Sequence, residues 1–420
     1  MNIIDHSVTV LKSFEIEPKP IDRVLSAYLK KHKEISGANR RLLYETIFGV
    51  MRWLRRLDGY LELSGVRKST WQNRILCYYL WKKPEGSEKL VLNATIEAML
   101  SGIDYDSVGS NRFPGGEAAY YSLPDFLYRR IKKNRTEEYK GRLPSLNEPL
   151  MPVLRINKAQ TDRDIIISEL KDLGIQGLET TMSPFGIRLN KRVNLETVPS
   201  YKNGSIDIQD EASQLATFLA FSSEKQKVLD LCAGAGGKSL MLADLMNGQG
   251  QMFASDIDSK KLKKLYARAK RMKIDCIETI SKDTLMDSNK LRGSFDVVLI
   301  DAPCTGTGTL RRNPDLKWRI DEKLISDRAE MQLEILNEGT QFVAEGGRVV
   351  YLTCSLFDEE NDDVVKKFLE RNGDFALEKP DQYFARYSVD STDIIDGMYF
   401  RTNPVTYSWD GFFGASLIKK

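Results

Sequence analysis

At 420 residues the chain is too long for one ordinary core and predicts two or three domains. Hydrophobic residues at 41% and charged residues at 29% are globular proportions, and the net charge is only +3. The five cysteines are an odd set without a C-x-x-C pair, which excludes a disulfide framework and points to a reducing compartment. With His6 and His32 as the sole imidazoles, no Cys/His cluster has zinc-ligand spacing, so no metal site is expected. No apolar run approaches bilayer length, and the N-terminus carries Asp5 early without an apolar leader. A soluble cytoplasmic protein, working away from membranes, is the expectation.

The charge is unevenly spread. Lys19 to Lys83 holds fifteen Lys and Arg against five Asp and Glu, and Lys260 to Lys273 holds eight basic residues and no acid. Both stretches suit a polyanionic partner; solvated helix faces are the alternative.

In chain order, residues 1 to about 140 read as all-helical. Leu43, Ile47, Val50, Leu54, Leu57 and Leu61 step by four and three, a helix face that meets other helices. Arg41, Arg52, Arg55 and Arg56 lie on the opposite face, placed to contact phosphates. Pro144, Pro149 and Pro152 mark a boundary. Beyond it Val153 to Ile156 predicts a strand, Asp162 to Leu173 a helix ended by Gly174, and Gly186 to Leu189 another strand, a small α/β module that packs on the domain after it.

From Ser205 strands and helices alternate, the signature of a parallel sheet with right-handed crossovers. Strands are predicted at Lys227 to Leu231, Gln251 to Ser255, Ile277 to Ile280, Phe295 to Ile300 and Arg348 to Thr353, with helices starting near Ser239, Ser259 and Asp321. Gly346-Gly347 is read as the turn into the fifth strand, and Tyr407 to Leu417 as a terminal strand or hairpin. The domains expected are 1–142, helical; 143–204, small α/β; and 205–420, catalytic.

The first site element is Asp230-Leu-Cys-Ala-Gly-Ala-Gly-Gly-Lys-Ser239, a glycine turn between strand and helix. It falls short of a phosphate-binding loop because Cys232 stands where the first glycine is required, leaving a nucleotide-dependent hydrolase as a weaker alternative. The second strand ends in Ser255-Asp256-Ile257-Asp258, about 20 residues on, where an acid suits ribose hydroxyls. A glycine turn, that carboxylate and Asp283 after the third strand together suit S-adenosylmethionine. For Asp256, Asp258 and Asp283 a surface-loop role is the alternative.

Two cysteines then stand at the ends of two strands, Cys304 in Asp-Ala-Pro-Cys and Cys354 in Thr-Cys-Ser. Unlike Cys77 or Cys276, each leaves an apolar run for a polar loop. A methyl donor, two thiols and an acid suit methylation at C5 of a pyrimidine. That carbon is a weak nucleophile until a thiolate adds at C6, and a group that contacts N3, for which Asp301 is placed, favours the addition. A thiol with pKa near about 8.5 is only slightly ionised at neutral pH, so the site must favour the thiolate.

On these residues the chain resembles the RNA (cytosine-5) methyltransferases of the Sun/Nop family, with an RsmB-type layout. The likeness rests on DLCAGAGGKS, SDID, DAPCTGTG followed by RRNPDLKW, TCS at 353–355 followed by EEN at 359–361, QDEAS at 209–213 and DGFF at 410–413. Asn39 to Trp53 is similar to the NusB-like helical domain of such enzymes. The resemblance implies a Rossmann-like catalytic domain behind a NusB-like RNA-binding domain and a small RRM-like module. It implies Cys354 as the nucleophile and Cys304 as the residue that helps release product, roles that spacing leaves open because DNA cytosine-5 methyltransferases attack with the Pro-Cys cysteine. It places the cofactor, S-adenosylmethionine, on Cys232, Ala233, Gly234, Ala235, Gly236, Gly237, Lys238, Asp256, Asp283 and Asp301. One departure is visible: Asp358 stands where many members have proline. The implied substrate is a cytosine in structured RNA, small-subunit ribosomal RNA first and transfer RNA as the alternative. Arg311 and Arg312 are candidate backbone contacts. A monomer without metal is expected, and an RNA-binding or assembly factor is the rival from another class.

Overall fold

A computed structural model describes residues 2–66, 68–87, 94–105, 108–134 and 143–420. It divides into two units, Met1–Pro149 with Leu310–Ile320, and Leu150–Thr309 with Asp321–Lys420. The expected boundary at 142/143 falls at the edge of residues 135–142, which lie outside the described residues.

The first unit is helical. Its longest helix, Gly37–Leu63, starts at Ser36, whose side chain accepts from the Asn39 N–H, and breaks its regular geometry at Trp53. Of the predicted stripe, Leu43, Ile47, Val50, Leu57 and Leu61 are buried and Leu54 half-buried. They pack with residues of the helices Ile3–Ile16, Ile21–Lys31 and Trp71–Lys82.

The arginine face differs from expectation. Arg52 is buried, and Arg55 donates to the Leu123 carbonyl at 2.7 Å and to Asp125 at 2.8 Å. Arg56 lies 4.0 Å from the Tyr120 ring centre and 4.8 Å from that of Trp81. Arg41 is exposed and pairs with Glu85. Aromatic rings from later helices cover this side, so most of these cations serve the unit's own packing. Arg311 is likewise buried, donating to the Glu148 carbonyl at 3.0 Å, and Arg312 is half-buried.

The second unit opens with a four-stranded antiparallel sheet of order β2-β3-β1-β4: β1 Val153–Ile156, β2 Gly177–Glu179, β3 Gly186–Leu189 and β4 Ile206–Ile208. With the helices Arg163–Asp172 and Pro199–Lys202 the succession is β-α-β-β-α-β. The last strand lies beyond residue 204, because Ile206 to Ile208 pair with Ile156 to Leu154.

Buried charge ties this sheet to the larger part of its unit. Arg155 and Asp244, both nearly inaccessible, pair at 3.2 Å. Asp207 on β4 pairs with Arg268 at 2.7 Å and Arg271 at 3.1 Å. Two of the eight basic residues in the Lys260–Lys273 stretch are thus turned inward.

The large sheet runs β11-β12-β13-β9-β8-β5-β6-β7, with β10 on β13. Its parallel strands are β5 Lys227–Asp230, β6 Gln251–Asp256, β7 Ile277–Ser281, β8 Phe295–Asp301 and β9 Val343–Thr353. Each of the five predicted strands is present. β10 Phe375–Glu378, β11 Ile395–Asp396 and β12 Tyr399–Arg401 were not predicted, and β13 Phe413–Lys419 runs antiparallel beside β9. Gly346 and Gly347 sit inside β9, where the pairing shifts between Phe295↔Val343 and Val297↔Arg348; they form a bulge rather than the entry turn.

Removing one partner of the buried Arg155–Asp244 pair leaves an uncompensated charge. Asp244→Ala is expected to lower stability by about 3–5 kcal/mol, measured by urea unfolding. A loss below about 1 kcal/mol, the range of a surface pair, would contradict this account.

Candidate active site

Strand order reverses at β5, with β6 on one side and β8 on the other, so the crevice for a ligand opens past the carboxyl ends of these strands. Asp230, Asp256 and Asp301 each end a strand there.

The loop after β5 is tied by hydrogen bonds to the end of β6. Ala233 N–H donates to the Ser255 carbonyl at 2.8 Å, and Gly234 N–H to Asp256 Oδ2 at 2.9 Å. Gly236 has φ +86°, and a Cβ there would lie 2.5 Å from the Leu265 side chain, so glycine is required. Gly237 then opens the helix Gly237–Leu245.

The residues fit S-adenosylmethionine on two observations. Asp230 Oδ2 accepts from Ser239 Oγ at 2.6 Å, while buried Oδ1 has no hydrogen-bond partner, an acceptor open to the cofactor's amino group. Asp256 accepts from Gly234 and Asp258 N–H groups and, with four acceptor sites on a carboxylate, retains capacity for ribose hydroxyls. Asp283 is exposed in the first turn of the helix Lys282–Asp287. Asp230 opens the glycine motif read in sequence but was not among the cofactor contacts expected, although an acid closing a strand before the glycines was the available signal.

Past β8 and β9 the two thiols meet, with Cys304 Sγ and Cys354 Sγ 3.4 Å apart. Both are partly exposed, whereas Cys77 is sealed in the helical core. The hydrogen bond with Cys304 and burial hold the Cys354 thiol well above its ordinary pKa, and Lys238 pulls the other way. Lys238 Nζ donates to Asp301 Oδ2 at 2.6 Å and lies 4.8 Å from the Phe412 ring centre. Lys238 therefore faces the acid and the thiols together, a role beyond the cofactor contact expected of it.

The DGFF segment closes against the catalytic loop. Gly308 N–H donates to the Cys354 carbonyl at 2.8 Å, and Gly411 N–H to the Gly308 carbonyl at 2.9 Å. A Cβ on Gly308 would stand 2.0 Å from the Gly411 oxygen.

Residues 216–418 match the family described as 16S rRNA methyltransferase RsmB/F, and residues 123–196 the ferredoxin-like domain of RsmF/B-like methyltransferases. The chain is 28% identical over 418 residues to Ribosomal RNA small subunit methyltransferase B of Escherichia coli O157:H7, covering 92% of each. It is 26% identical over 413 residues to the protein of that name from Citrobacter koseri, again over 92% of each. The crystal structure of PH0851 matches at TM-score 0.78 and 24% identity over 99% of this chain and 98% of that one. NSun6 from Pyrococcus horikoshii, solved with SFG, matches at 0.61 and 19% over 70% and 98%. Fold and site together define an S-adenosylmethionine-dependent methyltransferase. The chain is an RNA methyltransferase, and the segments matched are those of ribosomal RNA methyltransferases of the RsmB/F type, within the Sun/Nop family.

Burial pushes the Asp230 carboxyl up to about 7. Because the folded value is raised, its contribution to stability is fully present below about pH 4 and is lost as pH rises through 7. Asp230→Asn is expected to stabilise the cofactor-free protein in urea at pH 8 but not at pH 4, and to weaken S-adenosylmethionine binding about tenfold by calorimetry. Unchanged affinity would remove Asp230 from the cofactor site.

Proposed function

We propose that the enzyme methylates C5 of a cytosine in small-subunit ribosomal RNA through a covalent bond between Cys354 and C6. The observation that carries the reading is the pair of thiols 3.4 Å apart, set at adjacent strand ends beside the Asp301–Lys238 pair.

Bound S-adenosylmethionine supplies an electrophilic methyl group, held by Asp230, Asp256 and the 232–238 loop, with Asp283 and Asp301 as further contacts. Asp301 contacts N3 of the base, and Cys354 adds as thiolate to C6, which makes C5 nucleophilic. Once C5 carries the new methyl group it still holds its proton. Cys304, acting as thiolate, takes that proton and becomes a thiol, so that the C5–C6 double bond re-forms and Cys354 leaves as thiolate. Two thiols with separate duties explain a pair where attack alone needs one.

RNA delivery falls to the rest of the chain, read as a NusB-like part at 1–142 and an RRM-like part at 143–204. Arg23, Lys30, Lys31 and Lys33 are exposed in the helical unit. In the catalytic unit Lys260, Lys263, Lys264, Lys270 and Lys273 are exposed, with Tyr266 63% exposed among them. Cations around an accessible ring suit phosphates and an unstacked base, and such contacts offset the few kcal/mol of extruding the target. The enzyme is read as a cytoplasmic monomer; among the described residues no helix is long and apolar enough to cross a membrane.

The test is labelled S-adenosylmethionine with unmodified ribosomal RNA, free and in isolated small subunits, and mapping of 5-methylcytosine. Wild type should label one cytosine, and Cys354→Ala should abolish the label while RNA binding persists. Cys304→Ala should accumulate a protein–RNA adduct that resists denaturant. Methylation by Cys354→Ala would sink the covalent reading, and a site confined to transfer RNA would overturn the substrate.

A further inference from the structure

Around the thiols lies a buried carboxylate that the mechanism above does not use. Glu360 closes the short helical turn Asp358–Glu360 and is fully inaccessible. Its Oε1 accepts from Thr305 N–H at 2.8 Å and Gln332 Nε2 at 3.0 Å. Its Oε2 accepts from Thr305 Oγ1 at 2.5 Å and from Ser355 Oγ. Thr305 follows Cys304 and Ser355 follows Cys354. One side chain therefore grips the residue after each thiol.

The neighbours complete the clamp. Gln332 Nε2 also donates to the Pro303 carbonyl at 3.0 Å, so Cys304 is held on both sides. Asn361 accepts from Thr353 Oγ1 at 2.5 Å and donates to the Ser355 carbonyl at 3.0 Å, so Cys354 is held likewise. Tyr351 OH donates to the Glu360 carbonyl at 2.6 Å and lies 3.1 Å from Gln332 Oε1.

We propose that Glu360 is a positioning residue of the reaction, the tie that sets the two sulfurs at a fixed separation for attack and release. Stability alone does not explain it. Among the described residues no ion pair of Glu360 is found, and a buried carboxylate without a cation is costly where an apolar side chain of similar volume would serve. Its four acceptor sites are met by four donors, every one of which belongs to a thiol loop or to the glutamine that braces one. Being inaccessible, Glu360 acts through the cysteines and not on the base.

The inference rests on the two-thiol mechanism, so the test uses RNA carrying 5-fluorocytosine at the target, in which C5 has no proton to lose and the adduct stays trapped. Full-length wild type, E360A and E360Q are compared for rate of adduct formation, for kcat and KM on normal RNA, and for S-adenosylmethionine binding. E360A is expected to slow both rates about a hundredfold, as a misplaced reacting group does, with KM and cofactor affinity within about twofold. E360Q is expected to recover most of the loss, because the Thr305 and Ser355 hydroxyls can rotate to accept from the amide. An E360A enzyme at wild-type rates, or equal losses in E360A and E360Q, would overturn the proposal.

If E360A does not fold, T305V and S355A each remove one hydroxyl from the tie. S355A should lower kcat about tenfold and T305V, which keeps the Thr305 N–H bond to Oε1, by less, with the double variant no worse than S355A, since breaking one end fully already breaks the tie. Multiplying losses, or none, would overturn it. A wild-type enzyme that forms no adduct, or forms it on Cys304, would instead defeat the mechanism on which the inference rests.

Discussion

The site depends on the parallel register of β8 with β9. Asp301 pairs with Leu352, so the two strands end level and their loops leave the sheet side by side. Cys304 and Cys354 lie three and two residues past those positions, a reach that allows their sulfurs to meet. Antiparallel neighbours would send the two loops to opposite edges. The approach is close enough that side chains cannot intervene, which is why Gly308 and Gly411 stand where the loop after Cys304 meets the terminal segment.

That proximity has an electrostatic cost. The contact with Cys304, burial and the neighbouring Asp301 disfavour a thiolate at Cys354, and Lys238, which favours it, is already paired with the acid. A partner that engages Asp301 competes for that pairing and leaves the lysine's charge to the sulfur. On the proposed mechanism, ionisation of Cys354 is in this way linked to what engages Asp301. The same logic covers Asp230, whose unpartnered oxygen is uncomfortable until a cation meets it.

How much was legible in sequence depends on how local each signal is. β5, β8 and the second half of β9 were legible because strands covered on both faces are apolar runs, and their ends because polar residues break those runs abruptly, whereas β7 is an exposed edge strand. Strands β2, β4, β11 and β12 have two or three residues each, too few to show a period. Gly346-Gly347 carried a turn signal, yet the chain on both sides pairs with β8, and pairing is not a local property. The arginine face of Gly37–Leu63 misled for a related reason: periodicity identifies a polar side but not that Trp81 and Tyr120 fold over it. Glu360 was visible as part of EEN, while its duty appears only once Thr305, 55 residues earlier, is placed beside it.

Chain connectivity adds a constraint on any division of the protein. Leu310–Ile320, beginning six residues after Cys304, belongs to the helical unit although it lies between two segments of the other. It is integral there. Lys317 is fully buried and donates to the carbonyls of Arg52 at 2.9 Å and Ser122 at 3.1 Å and to the Asn147 side chain. Trp318 Nε1 donates to the Met51 carbonyl at 2.7 Å, and Asp315 accepts from Ile21 N–H at 3.2 Å. Burial holds the Lys317 ammonium well below its usual pKa, a cost that these oxygens offset only while the segment is in place. A helical piece ended at residue 142 would lack this segment and leave carbonyls of its longest helix without their donors. The chain that leaves the catalytic loop is thus part of the core of the helical unit, and neither unit is complete as a continuous stretch of sequence.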